Sequence, residues 1–313
     1  MNLRKALGVT AGAVGATALA NRVLQSRAGE FEPMLSGSQG TYRWRGFDIA
    51  YTEAGDPESP DLVLLHGINA AASGHEFEAV FDRLAEEYHV LAPDLPGFGY
   101  SDRPPLLYSA SLMTTFVRDF LADNSDDATV VASSLTGAYA ALAAGETDVE
   151  ELILVCPTDT SMGDRSVLRR SLLRSPLLGE AIFNGIVSKP SIRHFHDDHG
   201  YYDMDNLTDE VVDYEWTSGH QPGARFAPAS FVSGFLDPEA DLGDALAALD
   251  VPVTLVWGED ADITPLEDGR DLAERADATL VVFGESLLLP HVEHPAQFVD
   301  VVAGEAAELT VEP

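Results

Sequence analysis

The chain has 313 residues, of which 45% are hydrophobic, enough to bury the core of one large domain with an insertion or of two small ones. Its 52 acidic and 18 basic residues give a net charge of −34, which repels nucleic acid and anionic lipid and argues against phosphate-backbone binding. Cys156 is the only cysteine, so an intrachain disulfide is excluded, and we interpret it as a small core residue.

The charge balance favours a globular protein adapted to high salt. The apolar content and the regular apolar runs argue against a disordered chain. Lysine is almost absent, since only Lys5 and Lys189 occur, and arginine carries the remaining positive charge. A Debye length of about 3 Å at 1 M salt would remove most of the self-repulsion. We therefore predict a halophilic protein.

Residues 1–27 differ in composition from the rest of the chain. Basic residues flank an apolar stretch over 6–20, which is shorter than the roughly 20 residues needed to span a bilayer. Three interpretations are open: a cleaved secretory signal, which would make the protein exported, an uncleaved membrane anchor, or a helix packed on a cytoplasmic domain. We favour membrane association through residues 6–20.

From residue 40 onward, short apolar runs alternate with segments of helical spacing, as expected of a mostly parallel sheet. An antiparallel pair of strands around Arg45 and Gly46 opens this series, at 42–48 and 49–53. Helical spacing follows at 77–87, 112–121 and 135–144. The other strands predicted in this half are 62–65, 89–92, 129–132 and 152–155.

The alternation stops between residues 159 and 247. This stretch contains arginines, several Pro and Gly and a polar run, and we interpret it as a helical lid inserted into the core. Alternation resumes with a strand at 253–257, a helix at 265–276, a strand at 279–283 and a closing helix from about 295. The predicted organisation is an N-terminal segment over 1–27, an α/β core over 40–158 and 248–313, and a lid over 159–247.

Ser134 is the candidate nucleophile. It lies in the sequence Ala132-Ser133-Ser134-Leu135-Thr136-Gly137, between a predicted strand and a predicted helix. A sharp strand–turn–helix elbow exposes a serine hydroxyl and needs small residues two positions before and two after it. Ala132 and Thr136 meet this need, although glycine is usual at both places and Thr136 is expected to add strain. The alternative is that the two serines only cap the helix.

Two backbone amides are candidates for an oxyanion hole, which stabilises the negative charge that develops during acyl transfer by about 3 kcal/mol per donor. The loop after the first buried strand reads His66-Gly67-Ile68 and supplies the Ile68 N–H. The residue after the nucleophile, Leu135, supplies the second N–H.

Five segments follow one another along the chain: His66-Gly67, Asp94-Leu95-Pro96-Gly97-Phe98-Gly99-Tyr100-Ser101-Asp102, the elbow, Trp257-Gly258, and Glu293-His294-Pro295 with Phe298. In this order they resemble the α/β-hydrolase family, in its lidded serine-hydrolase form, over about residues 41–302. The resemblance implies an α/β-hydrolase fold, with a mostly parallel sheet, helices on both faces, a helical lid, and no cofactor or metal. Family members that dehalogenate alkanes or open epoxides carry Asp at the elbow, so Ser134 argues against both activities.

The resemblance places the acid of the catalytic triad in the loop after Trp257-Gly258. Its usual position, three residues after the glycine, is Ala261, so this loop departs from the family pattern by one residue. We favour Asp262 as the acid that orients the catalytic histidine, with Asp260 as the alternative.

The catalytic base is where the sequence departs most from the family. The histidine normally lies five residues before the Glu of the closing pattern, and that position is Leu288, which cannot accept a proton. His291 could serve through a reshaped loop, or a lid histidine such as His194, His196 or His199 could replace it. Otherwise the triad is broken and the protein is a weak or inactive relative.

The lid carries two further features. The run 194–199 contains three histidines without a known metal-site spacing, and we predict a solvated polar loop there rather than a metal site. Apolar side chains of the lid, such as Phe183, Phe195 and Trp216, are expected to line the pocket above the elbow.

Two functions from different classes follow. The first is hydrolysis of an ester or related acyl bond in a small, mostly apolar substrate, with Ser134, His291 and Asp262 as the triad and Ile68 and Leu135 as the oxyanion hole. The second is a binding module that captures an apolar ligand or a partner without turnover, as the Leu288 position suggests.

The predicted adaptation to salt has a direct test. As salt is diluted at constant pH, we expect the free energy of unfolding to fall steadily, because the mutual repulsion of the acidic side chains is unmasked. Denaturant unfolding at each salt concentration measures it, and a stability that does not change on dilution would contradict the prediction.

Overall fold

The computed structural model describes residues 3–29, 32–161, 163–305 and 310–312, and the side chains of residues 15–305 within those ranges. The strands of these residues form one nine-stranded sheet. They are β1 (Ser38–Trp44), β2 (Phe47–Ala54), β3 (Asp61–Leu65), β4 (His89–Pro93), β5 (Ala128–Ser133), β6 (Val149–Val155), β7 (Val253–Gly258), β8 (Thr279–Phe283) and β9 (Thr310–Glu312).

The strand order is β1-β2-β4-β3-β5-β6-β7-β8-β9, and the strands from β4 to β8 pair in parallel. This confirms the predicted mostly parallel sheet. The opening hairpin turns at Arg45 and Gly46, which adopt positive φ angles of 46° and 95°. A two-residue hairpin needs positive φ at both central positions, and Arg45 and Gly46 meet this need. The first strand therefore ends at Trp44 and the second begins at Phe47, whereas the predicted boundary lay between residues 48 and 49.

Helices cover both faces of the sheet, as predicted. Along β3, Val63 and Leu65 belong to the larger hydrophobic cluster, whereas Leu62 and Leu64 belong to a second cluster. This alternation is the period of two that a strand buried on both faces shows. The helices of the larger cluster include α3 (Ala110–Asn124), α4 (Leu135–Ala144) and α11 (Leu266–Ala276), and those of the second are α2 (Glu78–Leu84) and α13 (Pro295–Val302).

The lid forms between β6 and β7. Its helices surround a small apolar cluster of their own, made by Phe183, Val187 and Ala224. The polar run 194–199 begins in the third lid helix and continues into a π-helical turn over His196–Gly200. The helices are α5 (Val167–Arg174), α6 (Leu178–Ile186), α7 (Lys189–Phe195), α8 (Asp209–Gly219), α9 (Phe226–Phe231) and α10 (Leu242–Ala247).

Helix α1 (Leu3–Ala28) packs against the lid through its C-terminal half. Asn21 is buried, donates a hydrogen bond to Leu177 O at 3.2 Å and accepts one from Asn184 at 3.1 Å. Gln25 donates to Glu180 at 2.8 Å. None of the helices in the described ranges is both long enough and apolar enough to cross a membrane. The side chains of residues 6–14, where part of the predicted membrane contact falls, lie outside the described residues.

Candidate active site

Ser134 lies at a strained turn between β5 and α4. Its backbone has φ 53° and ψ −132°, a conformation that costs a non-glycine residue roughly 1–3 kcal/mol. The Ser134 N–H donates to Val155 O at 2.9 Å, and the Thr136 hydroxyl donates to His66 O at 2.7 Å. Thr136, which departs from the family glycine, therefore ties the elbow to the end of β3. Strain held in place by surrounding contacts is typical of functional sites.

A cavity of about 70 Å³ lies beside the Ser134 side chain. It opens between the carboxyl ends of β3 and β5, the lid, and the loop between β8 and the short helix α12 (Pro290–Glu293). Its lining residues are Gly67, Ile68, Asn69, Glu76, Ser133, Ser134, Cys156, Phe195, His196, Gly200, Leu288 and Leu289.

The two predicted oxyanion-hole residues flank this cavity. Ile68 lines it directly, and Leu135 is the first residue of α4, so its N–H points out of the positive end of the helix. The neighbouring Gly67 N–H is occupied, since it donates to Glu76 Oε2 at 2.8 Å.

The structure does not bring Asp262 and His291 together. Asp262 is half exposed and accepts from His199 Nδ1 at 2.9 Å. His291 is completely buried on α12, with its ring 5.2 Å from that of Phe77 and 5.6 Å from that of Phe298. Asp260, the alternative acid, is exposed, and its N–H donates to Ser286 O.

Leu288 occupies the cavity wall where the family pattern places the histidine. The loop that carries it is held by Glu293, which accepts from Leu287 N at 3.0 Å and from Tyr202 N of the lid at 2.8 Å. The loop therefore joins the core to the lid, and His291 lies on the helix behind it rather than in the cavity.

Glu76 is a buried carboxylate at the cavity that the sequence did not single out. Its Oε1 lies 3.4 Å from His291 Nε2, at the long end of hydrogen-bonding distance. Burial raises the pKa of Glu76, but hydrogen bonding and charge from His291, together with the Ser133 hydroxyl, outweigh it and lower the pKa overall. The site thus holds a negative charge beneath the Gly67 loop, which disfavours anionic ligands.

His196 is the histidine that shares the cavity with Ser134. The polar run 194–199 was expected to be solvated, but His196 is only 5% exposed, because the lid folds it inward against Tyr201. Its Nε2 lies 3.0 Å from both oxygens of Glu215 on α8. Its Nδ1 has no hydrogen-bond partner within the described part of the chain.

Glu215 is buried between two histidines. His75, from the segment after β3, lies 3.4 Å away on the side opposite His196. Burial raises the pKa of Glu215, but the charge and hydrogen bonds of His196 and His75 outweigh it and lower the pKa to about 2. The carboxylate is therefore ionised at neutral pH, as the acid that orients a catalytic histidine must be.

A second, mostly apolar cavity of about 130 Å³ adjoins the first and shares Asn69, Phe195 and His196 with it. Of the lid residues predicted to line the pocket, Phe195 does so, whereas Phe183 packs inside the lid and Trp216 stacks on His220.

A larger groove of about 610 Å³ runs along α3 and does not include Ser134. Its lining residues are Ser109, Ala110, Ser111, Thr114, Thr115, Arg118, Leu142, Ala143, Glu146, Arg165, Phe235, Asp237, Pro238 and Glu239.

The model of an alpha/beta hydrolase family matches residues 62–301 of the chain. An uncharacterized protein of Mycobacterium tuberculosis is 28% identical over 284 residues, which cover 82% of this chain and 77% of that protein. The 2-hydroxymuconate semialdehyde hydrolase of a Pseudomonas species is 27% identical over 261 residues, which cover 79% of this chain and 87% of the enzyme.

Solved structures show the same fold. The 2-hydroxy-6-oxo-6-phenylhexa-2,4-dienoate hydrolase of a Rhodococcus species superposes with a TM-score of 0.70 at 21% identity, over 86% of this chain and 98% of that one. A bacterial membrane phospholipase A superposes with a TM-score of 0.67 at 21% identity, over 97% of this chain and 96% of that one.

Replacing Glu215 by Gln tests the buried carboxylate. Because its folded-state pKa is lowered from 4.5 to about 2, the ionised group stabilises the fold above pH 4.5, and this contribution is lost as the pH falls towards 2. A shift of that size corresponds to about 3 kcal/mol. We expect the variant to be less stable than the wild type at neutral pH, with the difference shrinking on acidification.

Denaturant unfolding of both proteins at several pH values measures this difference. Glu210→Gln, at an exposed position of the same helix, is the matched control and should leave stability nearly unchanged. A stability difference for Glu215→Gln that is independent of pH would contradict the assignment of an ionised carboxylate.

Proposed function

The chain belongs to the alpha/beta hydrolase family, and we propose that it hydrolyses an ester or related acyl bond through Ser134, with His196 of the lid as the base. The observation that carries the proposal is that Ser134 and His196 line one small cavity. Relatives named as hydrolases, such as the Pseudomonas enzyme, support hydrolysis as the reaction class.

His196 has the features that a general base needs. Its Nε2 faces the Glu215 carboxylate, which favours the tautomer with the proton on Nε2 and leaves the Nδ1 lone pair free to accept one. Glu215 then fixes the ring and stabilises its charged form, the role that the acid of a triad performs. His291, which the sequence favoured, does not line the cavity of Ser134, and Asp262 pairs with His199, which does not line it either.

The reaction follows from this arrangement. The Ser134 hydroxyl attacks the substrate carbonyl and passes its proton to His196 Nδ1 while the Ile68 and Leu135 amides hold the oxyanion. The tetrahedral intermediate collapses to an acyl-serine, and the leaving group takes the proton from His196. Water then attacks the acyl-serine, again with His196 as base, and releases the acid. Glu215 remains ionised throughout.

The cavities indicate the substrate class. An apolar cavity of about 150 Å³ can hold a benzene ring, so the adjoining cavity of about 130 Å³ accepts a group up to nearly that size. The buried carboxylate of Glu76 favours neutral substrates over anionic ones. We therefore propose a neutral substrate with a compact apolar group next to the reacting carbonyl.

Capture of an apolar ligand without turnover is the second candidate. It is favoured by Leu288, an apolar side chain in the cavity wall at the usual histidine position. In this case the strained elbow would be retained as part of the binding pocket.

Labelling with a fluorophosphonate probe in high salt tests the proposed enzyme. We expect the wild type to be labelled, Ser134→Ala not to be labelled, and His196→Gln to be labelled about 10²–10⁴ times more slowly, the usual loss for a missing general base. His194→Gln is the matched control, because His194 belongs to the same segment but its side chain is 72% exposed.

Two outcomes would contradict the proposal. If the folded wild type is not labelled while a hydrophobic dye binds it, ligand capture replaces hydrolysis. If His196→Gln is labelled at the wild-type rate and His291→Gln is not, the base is His291 and the loop that carries Leu288 must rearrange.

A further inference from the structure

Helix α5 of the lid turns its apolar side outward. Val167 and Leu168 are 64% and 80% exposed, and Leu172 is exposed as well, whereas Leu173 is buried. A surface helix normally buries its apolar stripe against the core. We define the lid patch as the exposed residues of this face together with the exposed leucines beside it: Val167, Leu168, Leu172, Leu106, Leu107 and Leu178.

Arginines border the lid patch and hold its parts together. Arg174 donates to the carbonyl of Pro105 at 2.8 Å and to that of Leu106, which fixes the Leu106–Leu107 loop beside α5. Arg169 donates to Val232 O at 2.7 Å, and the Arg170 guanidinium lies 3.4 Å from the Phe235 ring centre.

These three arginines form no ion pair with a carboxylate of the described residues. The pKa values of Arg170 and Arg174 are lowered, chiefly by partial burial and to a smaller extent by the positive charge of a neighbouring arginine. The chain as a whole has 52 acidic and 18 basic residues, so a cluster of arginines without acidic partners differs in charge from the rest of the protein. The lid patch therefore offers uncompensated positive charge next to exposed leucines.

Helix α1 lies beside the lid patch and carries exposed apolar side chains of its own. Its residue Asn21 is bonded to Leu177, the residue before Leu178 of the patch. Leu19 and Val23, one turn apart on α1, are 65% and 40% exposed. The N-terminal helix and the lid patch are thus neighbours on the lid.

We propose that the lid patch, together with the neighbouring helix α1, is a docking surface for an anionic lipid bilayer. Exposed aliphatic side chains bordered by arginines are the features of a helix that lies in a membrane interface. Arginine guanidinium groups bind lipid phosphates, often through two hydrogen bonds. The net charge of −34 opposes this contact at low salt, but a Debye length of about 3 Å at 1 M salt limits the repulsion to groups near the surface.

The test is flotation of the full-length protein with vesicles at about 1 M salt, where this Debye length applies. Vesicles of phosphatidylcholine alone are compared with vesicles that also contain phosphatidylglycerol. We expect the double variant Val167→Ser and Leu168→Ser to bind about tenfold more weakly, a loss of about 1.4 kcal/mol. Arg169→Gln should reduce the preference for phosphatidylglycerol by about twofold, because salt at about 1 M screens most of the roughly 1 kcal/mol that one interfacial arginine contributes at physiological salt.

Ile263→Ser is the matched control, because Ile263 is 40% exposed but lies in the loop after β7, outside the lid. Fluorophosphonate labelling of Ser134 should be the same in all these variants, so that docking and catalysis are judged separately. Equal vesicle binding by the wild type and the double variant would overturn the proposal. A vesicle-free dimer that the double variant dissociates would overturn it too and assign the patch to a second copy of the chain.

Discussion

The candidate site depends on a buried carboxylate that links the lid to the core. Glu215 lies on lid helix α8 and contacts both His75 from the core and His196 from the lid. Losing a hydrogen bond to a buried charged group typically costs about 1.5–3 kcal/mol, so this contact contributes to where the lid rests. Because the lid rests there, His196 faces the cavity beside Ser134 instead of the solvent.

The base position departs from the family pattern through Leu288, on a loop that hydrogen bonds connect to the lid. Glu293 makes this connection, and Leu288 adds an apolar surface to the cavity wall where a proton acceptor is usual. His291 lies 3.4 Å from Glu76 instead of lining the cavity. A base supplied by the lid makes catalysis depend on how the lid is seated.

The sequence predicted the sheet, the elbow and the lid because each has a local pattern: apolar alternation, small residues around Ser134, or a break in that alternation. It did not predict that His75 and His196 share Glu215, because the contact with His75 forms between positions far apart in the chain. His75 and Glu215 are 140 residues apart. Nor could Glu76 or Glu215 be recognised in a chain with 52 acidic residues, where one carboxylate carries almost no information. Their places beside the two cavities distinguish these two carboxylates, and those places are a property of the fold.

Acylation of Ser134 with His196 as the base can be followed by pre-steady-state kinetics with p-nitrophenyl acetate. We expect a rapid burst of about one equivalent of p-nitrophenol per chain, followed by slower turnover, because an acyl-serine accumulates. Ser134→Ala should abolish the burst, and His196→Gln should slow it by orders of magnitude. A wild type that binds the ester without any burst, or a burst that survives in His196→Gln at an unchanged rate, would contradict this mechanism.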